Sequence, residues 1–340
     1  MPRARAQIFH VAPDESQQTL AALLRQKLDG AAWSEARKLI RGRHVQINGN
    51  LCMDAGRRLK PGEVVKLLEF PAAPPAREDD VRIRYLDQQL VIVEKPAGIT
   101  SVRHAEERNW SSQRRNIQPT LEDLLPRVIA KKTSRGQRGR RGAPPGKLPP
   151  VRPVHRLDRE TSGLMAFART APAERVLAQQ FRQHTTSRRY LAVIQGYLSE
   201  RTIESQLVRD RGDGRRGSTQ QPDVGKRAVT HVKPIERLGD YTLVECVLDT
   251  GRTHQIRIQL AELGHPLCGE TVYHKPLGGS PRADRSGAPR LALHSAELTL
   301  EHPTTGETLN FKMPLPADLS AFIERLRADL RPKKPPNPHS

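Results

Sequence analysis

His155-Arg156-Leu157-Asp158-Arg159-Glu160-Thr161-Ser162-Gly163-Leu164 is the stretch on which the reading of this chain turns. It sets one aspartate among two arginines and a histidine, ahead of a polar turn that ends on an apolar residue. Positive neighbours favour the ionised carboxylate, which suits Asp158 to act as a nucleophile or base and argues against a general acid. Taken alone, the same residues would equally build a solvated ion-pair loop.

On either side of this stretch, strand-like runs dominate. Leu90-Val91-Ile92-Val93, Tyr190-Leu191-Ala192-Val193-Ile194, Val229-Thr230-His231-Val232, Tyr241-Thr242-Leu243-Val244 and Leu291-Ala292-Leu293 are rich in β-branched and aromatic residues. A helix is expected after Thr170, with Pro172 in its first turn and Val176, Leu177 and Phe181 inward. A second is expected after Thr253, with Ile256, Leu260 and Leu263 on one face and Gly264 as its stop. The fold class this predicts is α+β, with helices on a mixed, mostly antiparallel sheet.

Upstream lies a smaller unit. Leu20, Leu23, Leu24 and Leu28 recur at helical spacing, and Ala36, Leu39 and Ile40 mark a second helix. An alternating strand ending in Asn48-Gly49 follows, and then a turn at Pro61-Gly62 feeds Val64-Val65-Lys66-Leu67. Arg37, Lys38, Arg41, Arg43 and His44 cluster where the second helix gives way to the strand, a place where several cations could meet one phosphate backbone. Prolines at 71, 74 and 75 suggest a linker over 71–80. A flexible basic insertion is expected over 131–153, and a disordered tail over 326–340.

The chain of 340 residues carries 57 Lys plus Arg against 37 Asp plus Glu, a net charge of +20. That excess points to a polyanionic partner, nucleic acid first. Aromatic residues are only 4% of the chain, which argues against a broad base-stacking platform. Three cysteines, Cys52, Cys246 and Cys268, lack the spacing of a disulfide framework or a zinc cage, so the expected compartment is a reducing cytoplasm. The amino terminus lacks the apolar core of a secretory signal, and the absence of a run of about 18 apolar residues predicts no membrane span. Gly142 to Lys147 superficially resembles a phosphate-binding loop, but Leu148 stands where Ser or Thr is required and the glycine spacing is one short. No cofactor and no metal are expected.

Two resemblances sharpen these expectations. Residues 17–70, through Ala36-Arg37-Lys38-Leu39-Ile40 and Val45-Gln46-Ile47-Asn48-Gly49, resemble the alpha-L RNA-binding module shared by a small-subunit ribosomal protein and tyrosyl-tRNA synthetases. They depart from it at Ala32, where Ser is frequent, and at Gly42, one residue early in the turn. The stretch from His155 to Leu164 resembles the signature of the RluA family of pseudouridine synthases. Lys95-Pro96-Ala97-Gly98, Arg188-Arg189-Tyr190-Leu191-Ala192 and Gly251-Arg252-Thr253-His254-Gln255-Ile256-Arg257 resemble further segments of that family in the same order. Here too there are departures, with Arg188 where Lys is frequent and Glu270 where Asp is frequent.

The second resemblance implies a pseudouridine synthase catalytic domain over 81–325, behind an RNA-binding domain over 1–70. It implies that Asp158 is the catalytic carboxylate, that Tyr190 stacks on the base and helps remove its surplus ring proton, and that Arg257 pairs with Asp158. Arg156 is implied as the wedge that fills the stack vacated when a uridine is flipped out. The expected partner is RNA, with large-subunit ribosomal RNA favoured over transfer RNA, and the expected state a monomer. A non-catalytic RNA-binding or ribosome-assembly protein is the alternative from another class.

Overall fold

The computed structural model describes residues 7–48, 50–68, 71, 77–103, 107, 109–136, 148–211, 215–221, 223–274, 279–280 and 282–330. The chain divides into two compact units, one of residues 1–159, 165–175 and 209–216, the other of residues 160–164, 176–208 and 217–340.

The first unit begins with strand β1 (Gln7–His10), helices α1 (Leu20–Lys27) and α2 (Trp33–Arg41), and strands β2 (Val45–Ile47), β3 (Asn50–Leu51) and β4 (Val64–Leu67). The sheet order is β1-β4-β2-β3, every pair antiparallel. Leu20, Leu23 and Leu24 of α1 pack with Ala36 and Ile40 of α2 and with Val45, Ile47 and Val65 of the sheet. Thr19 caps α1, its Oγ1 accepting from Ala22 N at 3.2 Å. Ala32, at the equivalent position of α2, has no side-chain oxygen and makes no such bond. The turn after α2 places Arg43, not Gly42, in the left-handed region at φ 65°.

Strands β5 (Arg82–Leu86) and β6 (Leu90–Lys95) follow as an antiparallel pair. Helices α3 (Ser112–Ile117) and α4 (Leu121–Gly136) come next, and then strand β7 (Arg152–Pro153), which pairs with the Phe167–Ala168 end of β8 (Ser162–Ala168). Helix α4 corrects the expected flexible insertion: Lys131 and Lys132 belong to its last turns. They are held there because Lys131 Nζ meets Glu78 at 2.6 Å and Lys132 Nζ donates to Ile83 O at 3.2 Å. The cations at 138, 140 and 141 lie outside the described residues, as do residues 72–76 of the expected linker.

The second unit is built on β9 (Ser187–Gln195), β10 (Arg201–Val208), β11 (Gly217–Thr219), β12 (Lys226–Leu238), β13 (Tyr241–Leu248), β14 (Leu293–Glu301) and β15 (Thr308–Lys312). The order β11-β10-β12-β13-β9-β14 is antiparallel throughout, with β15 also on β14. Ser162 and Gly163 of β8 add a parallel pairing with His294 and Ser295, which makes the sheet mixed as expected. Helix α7 (Ala317–Asp329) buries Leu319, Phe322, Ile323 and Leu326, so the expected tail starts too early: the inward stripe of the helix runs through residue 326. Residues 331–340 lie outside the described residues.

Two helix faces differ from expectation. In α5 (Ala171–Gln183), Val176 is exposed, while Ala173, Leu177 and Phe181 are buried. In α6 (Gln255–Glu262), every residue from Gln255 to Ala261 is buried, and Leu263, expected inward, is exposed beyond the end of the helix. A helix buried all round has no amphipathic stripe by which its inward face could be read. Among the described residues, no helix is long and apolar enough to cross a membrane.

Candidate active site

Asp158 is half-buried on the loop between β7 and β8. Both of its neighbours are fixed. The Leu157 N–H donates to Ser101 Oγ at 3.1 Å, and that hydroxyl donates back to Leu157 O at 2.6 Å. Arg159 is held by the turn that ends β6. Its carbonyl accepts from Lys95 Nζ at 2.9 Å and from Gly98 N at 2.8 Å, and its Nε donates to Gly98 O at 2.9 Å. Lys95 is only 1% exposed, and it also donates to Pro96 O at 3.0 Å. The Lys-Pro-Ala-Gly turn thus clamps the backbone one residue beyond Asp158.

His155 takes a structural part in the same loop, its Nε2 accepting from Ala166 N at 2.9 Å. That nitrogen carries no proton in this bond, so His155 is a neutral brace rather than one of the cations surrounding Asp158. Arg156 is exposed, Leu157 buried and Arg159 buried. The loop therefore alternates outward and inward, with the Arg156 side chain available to a partner.

Tyr190 lies in the second unit, buried on β9 between Cys246 of β13 and Ser295 of β14. Arg257 lies on α6, in a position set by glutamines. Gln259 Nε2 donates to Ala228 O at 3.0 Å and Ser205 Oγ at 2.9 Å, and Gln255 Nε2 donates to Val229 O at 2.9 Å. The helix is thereby hydrogen-bonded to β12 and β10 through one face, and Arg257, two residues from each glutamine, points elsewhere.

That other direction holds Glu270. Arg257 Nε and Nη2 donate to its two carboxylate oxygens, each at 2.7 Å, and the guanidinium stands 5.3 Å from the Tyr273 ring centroid. Burial alone would raise the pKa of Glu270. The charge and hydrogen bonds of Arg257, joined by N–H donors from Val272 and Tyr273, outweigh that and hold the carboxyl below its ordinary range. Arg257 is thus a buried, paired cation. Glu270, to which the sequence assigned no role, is a partner of Arg257.

Arg37, Lys38 and Arg41 are exposed along α2, and Arg43 is half-buried at the turn beyond it. They form one basic edge of the amino-terminal module. Cys52, Cys246 and Cys268 are free and buried, and burial pushes each thiol up to about 12. Among the described residues, no group of three or more His, Cys, Asp or Glu is arranged to hold a metal ion.

The sequence singles out Asp158, Tyr190, Arg257 and the cations of α2. It did not find the roles of Ser101, Lys95 or Glu270. A lysine within an apolar strand was the one local signal for Lys95. Nothing local marks Ser101, whose partner lies 56 positions along the chain.

The chain is similar to known proteins in sequence and in fold. Residues 89–262 match the RNA pseudouridylate synthase family, and residues 31–65 match the S4 domain. A ribosomal large subunit pseudouridine synthase D from Neisseria meningitidis is 37% identical over 252 residues, 73% of this chain. The match spans 61% of that relative's length, less than two thirds. The uncharacterized RNA pseudouridine synthase YlyB of Bacillus subtilis is 34% identical over 304 residues, covering 87% of this chain and 90% of the relative. In fold, human RNA pseudouridylate synthase domain containing 4 is similar at a TM-score of 0.54 and 23% identity, over 72% of this chain and 92% of that one. With the clamped aspartate loop, the motifs in order and these matches together, the chain belongs to the RNA pseudouridylate synthase family and carries an S4 domain ahead of the synthase region.

Proposed function

We propose that this protein isomerises uridines in large-subunit ribosomal RNA to pseudouridine, with Asp158 as the catalytic carboxylate. The observation that carries the reading is the clamp on the Asp158 loop, where buried Lys95 and Ser101 hold the backbone of the residues on either side. A reacting group needs that kind of fixed aim, and a solvated ion-pair loop has no use for it. The ribosomal substrate is supported by the names of the relatives and by the basic edge of the S4 domain.

A uridine stacked in folded RNA is out of reach, so it is flipped into the site at a cost of a few kcal/mol. Arg156, exposed beside Asp158, fills the vacated stack. Asp158 attacks the anomeric carbon or acts on the ribose, and the bond from N1 to C1′ breaks. The uracil turns, and its C5 bonds to C1′. The C5 proton leaves with its electron pair retained by the ring, and Tyr190, stacked on the base, takes part in its removal. No cofactor enters these steps.

Pseudouridine mapping of total RNA from cells carrying the wild-type chain or Asp158→Ala tests the reading. Loss of particular large-subunit ribosomal sites in the mutant is the expected result. Loss of transfer RNA sites would replace the substrate, and no change in any RNA would remove the catalytic role and favour a binding protein that keeps the fold for its basic surface.

A further inference from the structure

Two neighbouring arginines on β9 have opposite surroundings. Arg189 reaches two carboxylates, Glu245 of β13 at 2.9 Å and Glu297 of β14 at 3.0 Å. Arg188 points to the other face, is 6% exposed, and has no hydrogen-bond partner on Nε or Nη2. Its guanidinium lies 5.8 Å from the Phe181 ring centroid. Room for it depends on Gly251: a Cβ there would fall 2.4 Å from Arg188 Nη1.

A buried cation without a hydrogen-bonded counter-ion is costly, and an apolar side chain would pack there at lower cost. Strand alternation gives the compensating use. Arg188 and Tyr190 are two residues apart, on the same buried face and about 7 Å apart along the strand. Within that low-dielectric setting a charge acts on its neighbour without touching it. Cys246 opposite Tyr190 is a neutral buried thiol, Ser295 is uncharged, and Glu245 and Glu297 are engaged by Arg189 on the far face. Among the described residues, the Asp249 carboxylate favours the Arg188 charge, against the effect of burial, and His184 is a titratable neighbour that also meets Arg252. Burial lowers the pKa of His184, with Arg188 and Arg252 acting in the same direction, which favours the neutral imidazole.

We propose that Arg188 is a positioning residue for Tyr190, its buried charge stabilising the phenolate that accepts the C5 proton in the last step of isomerisation. The proposal rests on the pseudouridine synthase reading. Tyr190 first releases its hydroxyl proton to solvent. Once C5 is bonded to C1′, the phenolate oxygen bonds the surplus C5 hydrogen, and the electrons of the broken C–H bond restore the ring double bond. The tyrosine is then neutral again and returns its proton to solvent for the next turnover.

The test uses the full chain and a large-subunit ribosomal RNA transcript carrying protium or deuterium at uridine C5. The pH profile of kcat is measured for the wild type, Arg188→Gln and Arg188→Lys, each with and without Tyr190→Phe. In Arg188→Gln the rising limb moves about one pH unit towards alkali, a loss of about tenfold at neutral pH. Its deuterium isotope effect rises, KM holds, and Arg188→Lys restores the profile. Added to Tyr190→Phe, Arg188→Gln costs nothing further. Because Gln removes a buried charge, the variant keeps a wild-type melting temperature or exceeds it. A loss equal at every pH, an additive loss in the Tyr190→Phe background, or an effect confined to KM overturns the proposal. A wild-type chain inactive on every RNA sinks the synthase reading itself, a result distinct from all of these.

Discussion

Arg257 and Glu270 are locked in a two-bond fork, 2.7 Å on each arm, with both side chains nearly out of contact with water. The carboxylate also accepts from the N–H groups of Thr271 and Val272, at 2.9 and 2.8 Å, so one acidic side chain orders both the helix cation and the chain that follows Gly269. Glu270→Ala strips the buried Arg257 charge of this fork. The expected loss is about 3–5 kcal/mol of folding stability, read by urea denaturation. Glu270→Asp keeps the charge but is one methylene short of the fork, so its loss is smaller.

Lys95→Met removes the donor that fixes the Arg159 carbonyl while filling most of the same volume. The Asp158 loop then loses its aim without losing its charge. Steady-state kinetics should show kcat lower by about 10- to 100-fold with KM little changed, the size expected from misplacing a reacting group by about an ångström.

Gly163→Ala is expected to disrupt the pairing of β8 with β14. Gly163 has φ 125°, and an added Cβ would lie 2.3 Å from Ser295 O and 2.6 Å from Ser295 N. Backbone cannot yield as a flexible side chain would, so a loss of about 3 kcal/mol or more should appear as a large fall in Tm.

His294 is wholly buried, its Nδ1 2.9 Å from Ser162 Oγ. Burial, aided by Arg290, brings its pKa down to about 4. The folded chain therefore resists a proton that the unfolded chain accepts near pH 6.5. This contribution to stability is fully present above the unfolded value and is lost as pH falls from about 6.5 through the folded value near 4. In His294→Gln, the slope of stability against pH across that window should flatten.

Replacing Arg37, Lys38 and Arg41 together by alanine should leave stability nearly unchanged, because all three are exposed on α2. RNA affinity should fall, and the dependence of log K on log salt should become shallower by about 0.9 for each duplex phosphate that is no longer neutralised. Filter binding over a salt series reads both.

The sequence by itself determined the elements whose signal is local. Thr19 with the leucine spacing of α1, the alternation of β9 and the order of motifs around Asp158 each depend on residues within a few positions of one another, which is the range over which helix and strand periodicity acts. Only the tertiary structure decided what those motifs do. It made His155 a neutral brace, gave Lys95 the carbonyl of Arg159 64 positions away, gave Arg257 the carboxylate of Glu270, and left Arg188 Nε and Nη2 without hydrogen bonds beside an arginine with two carboxylates. It also turned Val176 and Leu263 outward, against their apolar character. The physical reason is the same in each case: burial and pairing are set by segments that meet only when the sheet closes, and no local spacing encodes which residue will stand opposite.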